Sequence, residues 1–422
     1  VTTEQQGLWP YLVEPAAPDE TAPCAVAAHG NRVRFASGEE LLCGTSGMWN
    51  ANLGYGNTTI ADAVADALRT ASYLSVYRYK NQYAQRAARA LIEVCGVQHY
   101  GRVLFSTSGG AVNDAVMKLA RQWQILQGRP ERSVVVGLRG SYHGLTYGGF
   151  ALTGEDLGQR AYGVDQRTVR HVEPNDTEQL RALFRRQGGR VAAVVVEPVL
   201  GTGALPLTDE YVEELLRLRD EHGFLLVADE VATGFGRTGE MFASQSWSRS
   251  PDMLLLSKGL TNGTCAAAVL VASIPVAGAF DRAGAVLSHA ETQGGTPASC
   301  AAILATLDEM RRLDAVANAA KLSQRLDTEL ADPGAVHPWI THTRGRGCFR
   351  GLAVGLPGGE DLPQHLVPEL LTAVRECGAI VHPGPSGFQI VPALTYTEAE
   401  LDELLDCVRR GVALFAERWA EL

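Results

Sequence analysis

Short apolar runs alternate with stretches of helical spacing through the middle of the chain. Val103-Leu104-Phe105 reads as a strand, and Asn113 to Leu126 then sets Val116, Leu119, Ala120 and Trp123 on one side of a helix. Val134-Val135-Val136 is a short strand. Val191 to Val196 is apolar throughout, as in a strand covered on both faces. Asp209 to His222 reads as a helix, with Thr208 as its N-cap and Gly223 just past its end. Two further runs end at Asp229 and Lys258, and Val269 to Ala272 is another strand. This alternation predicts an α/β architecture, a mainly parallel sheet covered by helices.

The last third differs. Pro297 to Leu330 reads as one long helix, Gly345 to Leu356 and Ala379 to Leu394 as short strands between Gly/Pro turns, and Thr397 to Leu422 as a closing amphipathic helix. The expected division is a segment 1–50 that joins the small domain, a large domain 51–304 and a smaller α+β domain 305–422. The 422-residue length fits such a division.

Two charges stand out at strand ends. Phe224-Leu225-Leu226-Val227-Ala228 runs into Asp229-Glu230, and Met253-Leu254-Leu255-Leu256-Ser257 runs into Lys258. Desolvation disfavours both charges, so each needs a partner. Pyridoxal 5'-phosphate answers both: its aldehyde takes a lysine as a Schiff base and its pyridine nitrogen takes an aspartate.

Other clusters fall where ligands bind in such sheets, at the carboxyl ends of strands. Ser106-Thr107-Ser108-Gly109-Gly110-Ala111 precedes a helix. It reads either as an anion-binding turn or as a plain strand-to-helix connection. Gly140-Ser141-Tyr142-His143-Gly144 offers a ring that could stack on a planar group. Glu197-Pro198 ends the next strand. The glycine-rich run from Val231 to Gly239 lacks a P-loop Gly-Lys-Ser/Thr and leads into no clear helix, so it is not a nucleotide fingerprint.

Composition narrows the field. A net charge of −10 without a basic stripe argues against nucleic acid. The 46% apolar and 20% charged content is ordinary for a globular enzyme. Eight scattered cysteines show neither zinc spacing nor a disulfide framework, which points to the reducing cytoplasm. No apolar stretch reaches membrane-spanning length. The polar, acidic start, Val1 to Glu20, does not read as a signal peptide.

Taken in order, these motifs resemble the class III aminotransferases, pyridoxal-phosphate enzymes of fold type I. The resemblance rests on Asp229-Glu230-Val231 through Gly239, Pro251-Asp252 and Ser257-Lys258-Gly259-Leu260-Thr261. Leu53-Gly54-Tyr55-Gly56, Tyr142-His143-Gly144, Glu197-Pro198, Thr292 with Gly295 and Pro297, and Pro392, Leu394 and Thr395 extend it over nearly the whole chain. It implies that Lys258 binds the cofactor and then moves the substrate proton. Asp229 would hold the pyridine nitrogen protonated. Tyr142, beside His143, would stack on one ring face, with Val231 on the other. Ser108, Gly109 and Gly110 would cradle the phosphate with Thr292 of a second chain, making a homodimer. Glu197 would border the cofactor, and Trp49, Tyr77, Glu197 and Gln389 would line the substrate pocket.

The departures bear on substrate. Many relatives carry an arginine two or three residues before the Pro-Pro-Leu-like motif, and its fork grips a substrate carboxylate. Here that position is Gln389. Glu197 then either stands free to attract a cationic group or is satisfied by a local hydroxyl or water. Ser108-Gly109-Gly110-Ala111-Val112 lacks the hydroxyl and carboxylate common in this loop, and Gln293 stands where an aromatic is common. The expected reaction is ping-pong amino transfer from a small-molecule donor to a ketone or aldehyde lacking an α-carboxylate. That acceptor would be an amine precursor, a sugar-like or polyketide carbonyl, or a modified peptide end. The alternatives are a keto-acid aminotransferase whose clamp has moved to Arg78, Arg344 or Arg346, and a 1,2-aminomutase. Loss of the clamp disfavours α-amino-acid decarboxylase and epimerase readings. Intact Lys258 and Asp229 argue against a non-catalytic binding module.

Overall fold

The computed structural model describes residues 23–420 together with Trp9, Tyr11 and Leu12. Most of the segment Val1 to Glu20 therefore lies outside the described residues. Tyr100–Ser106 (β1), Val134–Leu138 (β2), Val169–Val172 (β3), Val191–Val196 (β4), Leu225–Asp229 (β5), Met253–Leu256 (β6) and Ala268–Ser273 (β7) form one sheet. Its order is β1-β7-β6-β5-β4-β2-β3. Only β7 runs against its neighbours. The remaining strands are parallel, as the alternation of strand and helix predicts. Every residue of β4, β5 and β6 is buried, which explains their unbroken apolar sequence.

The Asp209–His222 helix has the predicted limits. Thr208 accepts from the N–H of Tyr211, and Gly223 closes it at φ +68°. The helix after β1 begins at Gly109, four residues earlier than the apolar spacing starts, because Ser108 caps it. The expected long helix from Pro297 is two helices, Pro297–Arg312 and Ala315–Glu329. Asp314 breaks it at φ +47°, a left-handed turn that periodicity alone does not reveal. Lys258 likewise stands outside its strand. β6 ends at Leu256, and Lys258 opens a 3-10 turn at φ +48°.

A second sheet, antiparallel throughout, contains Ile340–Arg346, Phe349–Val354, Gly387–Ile390 and His382–Gly384 in that order. A third joins Ala25–His29, Arg32–Phe35 and Glu40–Cys43 to Ala379–Ile380 near the other end of the chain. Glu398–Ala420 closes the molecule as a helix packed on Val367–Glu376.

Candidate active site

The site is built at the carboxyl edge of the large sheet. Asp229, the last residue of β5, is buried, and three donors hold its carboxylate. His143 Nδ1 lies 2.7 Å from Oδ2, Asn113 Nδ2 donates to Oδ2 at 3.1 Å, and the N–H of Val231 donates to Oδ1 at 3.1 Å. A carboxylate offers about four lone-pair directions, so one remains for a ligand N–H. Burial works against charge on His143. The Asp229 bond and the charges of Asp229 and Glu197 outweigh it and hold the imidazole above its ordinary value. The other ring nitrogen, Nε2, and Asn113 Oδ1 are buried without a hydrogen-bond partner among the described residues.

Glu197 follows β4. Its Oε2 accepts from the N–H of Tyr142 and its Oε1 from the N–H of Gly201, both at 3.0 Å. Two backbone donors therefore bind it, one to each oxygen. Burial, and then Asp229, push its carboxyl up to about 7, while His143 and the two N–H groups pull the other way.

Lys258 faces Trp49, with Nζ 4.3 Å from the indole centroid. Burial lowers its ammonium to about 8. Glu197 and Asp229 oppose that shift, and Arg237 adds to it. Arg237 lies in the glycine-rich run and is fully buried. Its fork bonds the carbonyl of Pro392 and Oδ1 of Asn52, with no carboxylate partner among the described residues. Sequence reasoning missed this cation because the run reads as a loop.

Trp49 rests on an unusual backbone. Ser46, Gly47, Met48 and Trp49 have φ of 44°, 56°, 54° and 66°. Left-handed L-residues cost roughly 1–2 kcal/mol each. Side chains secure the turn: Asn50 Nδ2 donates to the carbonyls of Gly47 and Met48, and Ser46 Oγ donates to the carbonyl of Val391. Phe349 and His382 pack on the indole, with centroids at 5.4 and 4.9 Å. His382 escaped the sequence reading because a lone histidine in a Gly/Pro turn carries no signal. Burial, then the Lys258 charge, lower its imidazole to about 4.

Gln389 is buried in its strand, where Nε2 donates to the carbonyl of Pro383 at 3.3 Å and Oε1 has no partner. Of the three arginines considered as substitutes, Arg346 lies 3.6 Å from Glu240. Arg344 donates Nε to the carbonyl of Gly203 and has no acidic partner among the described residues. No hydrogen bond is recorded for Arg78 among the described residues.

The Ser108–Gly110 turn opens the 18-residue helix. Ser108 Oγ accepts from the N–H of Ala111. The N–H groups of Gly109 and Gly110 head the helix and have no helical carbonyl behind them. Val231 packs against Gly109, and Gly144 presses so closely on Gly110 that a side chain on it would overlap the Gly110 Cα. Thr292 is held elsewhere. Its carbonyl accepts from Tyr73 OH, and Glu291 beside it binds Ser106 and Thr107. Among the described residues Thr292 makes no hydrogen bond to the Ser108–Gly110 turn of its own chain.

Tyr77 is not gathered with the rest. It is 55% exposed and lines a separate cavity of about 550 Å³ with Val76, Tyr79, Phe105, Leu287 and Glu291. Neither Lys258 nor Trp49 touches that cavity.

The gathered residues fit pyridoxal phosphate: a lysine, an acid with one lone pair left, and free N–H groups at a helix start. Comparison with known proteins agrees. A profile described as Aminotransferase class-III matches residues 15–412. The acetylornithine aminotransferase of Pseudomonas putida is 30% identical over 390 residues, 92% of each chain. An amine transaminase from an uncultivated Pseudomonas species, solved with pyridoxal phosphate, superposes with a TM-score of 0.91 at 26% identity. It covers 97% of this chain and 99% of its own. An (S)-enantioselective omega-transaminase from Thermomicrobium roseum gives 0.88 at 27% identity, covering 96% of both. With fold, cofactor site and relatives in accord, the chain belongs to the class III aminotransferases, enzymes of fold type I that depend on pyridoxal phosphate.

Proposed function

We propose that this transaminase forms amines, passing an amino group from a small-molecule donor to a ketone or aldehyde that lacks an α-carboxylate. One observation carries the reading: Lys258 faces the indole of Trp49, backed by Phe349 and His382, and the arginine whose charge bears on Lys258, Arg237, has its fork bound to protein groups. Gln389 offers no charge, and the forks of Arg237 and Arg350 are spent on protein groups. A biosynthetic tailoring role, on a sugar-like, polyketide or peptide-end carbonyl, follows from such a pocket.

Pyridoxal phosphate, when bound, supplies an aldehyde for amine exchange and a ring that draws electrons from the substrate carbon. Asp229 would keep a proton on the ring nitrogen, and His143 and Asn113 hold that carboxylate in place. Lys258, with its depressed affinity for protons, would hold the cofactor aldehyde and, once released, would serve as the base that moves the substrate proton. Gly109 and Gly110 present N–H groups to the phosphate.

A homodimer belongs to the same proposal. Thr292 leaves its own phosphate turn unbonded, and the apolar cavity beside Tyr77 and Val76 offers a surface for a second copy. No helix among the described residues is long and apolar enough to cross a membrane. All eight cysteines are free, in keeping with a cytoplasmic enzyme.

Arg344 supports a second reading. It is an exposed guanidinium without an acidic partner among the described residues. It is bonded to Gly203, two residues from the Gly201 that binds Glu197. Recruited by substrate, it would grip a carboxylate, as expected for a substrate of the acetylornithine type. Single-turnover absorbance of the amine-loaded enzyme decides between the two. Faster reaction with hydroxyacetone or butanone than with pyruvate, by tenfold or more, supports the amine-forming reading. The reverse order, with the pyruvate reaction lost in Arg344→Ala, sinks it.

A further inference from the structure

His382 has no part in the chemistry described so far, yet it stands beside that chemistry. It opens the strand His382–Gly384, whose register places it opposite Gln389. Its ring meets the Trp49 indole edge-on at 4.9 Å, and the same indole lies 4.3 Å from Lys258 Nζ. The strained Ser46–Trp49 turn fixes that indole, and the turn is tied to Val391, just past the strand that pairs with His382. The imidazole is thus held against the indole that Lys258 faces. It is only partly buried, and no protein group among the described residues hydrogen-bonds either ring nitrogen. It shares this wall with Gln389, another neutral group.

A neutral imidazole offers one donor and one acceptor and no charge. Such a group discriminates in a particular way. It rewards a hydroxyl or amide on the substrate, and it gives a carboxylate one neutral N–H and no countercharge to offset its lost hydration. We propose that His382 is a specificity-determining residue that hydrogen-bonds an uncharged polar group, a hydroxyl or amide, next to the reacting carbonyl of the acceptor. This rests on the ketone-acceptor reading above and names the kind of ketone.

The test compares holoenzymes of the wild type, His382→Leu, His382→Gln and His382→Arg by kcat/KM on hydroxyacetone, butanone and pyruvate. Hydroxyacetone and butanone are nearly isosteric and differ by a hydroxyl for a methyl. The wild type is expected to favour hydroxyacetone by tenfold or more. His382→Leu should erase that preference, and His382→Gln, which keeps a donor and an acceptor, should retain most of it. His382→Arg should raise the pyruvate-to-butanone ratio at least tenfold. Equal hydroxyacetone-to-butanone ratios in the wild type and His382→Leu overturn the proposal. If His382→Leu fails to retain the cofactor absorbance, His382→Arg decides, and an unchanged pyruvate-to-butanone ratio overturns the proposal. A wild type that prefers pyruvate to both ketones defeats the acceptor reading instead. That outcome is separable, because the hydroxyl preference and its loss are read from the two ketones alone.

Discussion

Lys258 shows how much one side chain depends on its setting. Its value of about 8 arises chiefly from burial, with the Arg237 cation adding to it and two carboxylates opposing. The folded chain therefore releases this proton as pH rises through about 8, whereas a free lysine waits until about 10.4. Between those values the unfolded chain binds more protons, so this group's contribution to the stability of cofactor-free protein rises with pH across that window. The rate at which cofactor-free protein captures an aldehyde should climb with pH and level off above about 8. Stopped-flow absorbance would show it, and a rate still climbing at pH 10 would mean that burial does not set the value. Asp229 was legible beside Lys258 because charge at the end of a buried strand is conspicuous. Asn113, His382 and Arg237 were not, since their importance comes from contacts made across the fold.

At the scale of elements, sequence pattern served best where one local rule governs. The Asp209–His222 helix carries its own cap and its own left-handed glycine, and the apolar run of Val191–Val196 carries its own burial. Pattern failed where backbone conformation departs from the residue's preference. The Pro297–Glu329 stretch keeps helical spacing through Leu313, yet Asp314 turns left-handed and separates two helices. The Asp314 side chain makes no capping bond there. Asp314→Gly should therefore raise stability by about 0.5–1 kcal/mol, seen as a higher urea midpoint at unchanged slope. The Ser46–Trp49 turn escaped for the same reason. Nothing in Ser-Gly-Met-Trp announces a left-handed turn, and the bonds that hold it come from Asn50 and from Val391, some 340 residues away.

For the whole molecule, the two ends of the chain meet in one sheet, where Glu40–Cys43 pairs with Ala379–Ile380. Strand propensity did not single out Ala25–His29, which is exposed throughout and rich in alanine. The centre of the large sheet was legible because its strands are covered on both faces, whereas the half-buried edge strand Val169–Val172 was not singled out. The placement of Tyr77 was not, because an exposed aromatic beside an apolar cavity takes its meaning from what covers it. If a second copy covers it, Tyr77→Asp should shift the mass by light scattering from dimer to monomer. It should also weaken cofactor retention about tenfold, since Thr292 would be withdrawn from the neighbouring phosphate. A dimer unchanged by the substitution would place the contact elsewhere.

The backbone of Lys258 carries one more consequence. At φ +48° the residue adopts a conformation that glycine tolerates far better than any side chain, and its ammonium is also deprived of water. A glycine here would relieve both costs but would have no amine to offer the cofactor. In a saturation-mutagenesis library scored for cellular abundance of cofactor-free protein, Lys258→Gly should match or exceed the parent. Scored for amine transfer, the same substitution should be null.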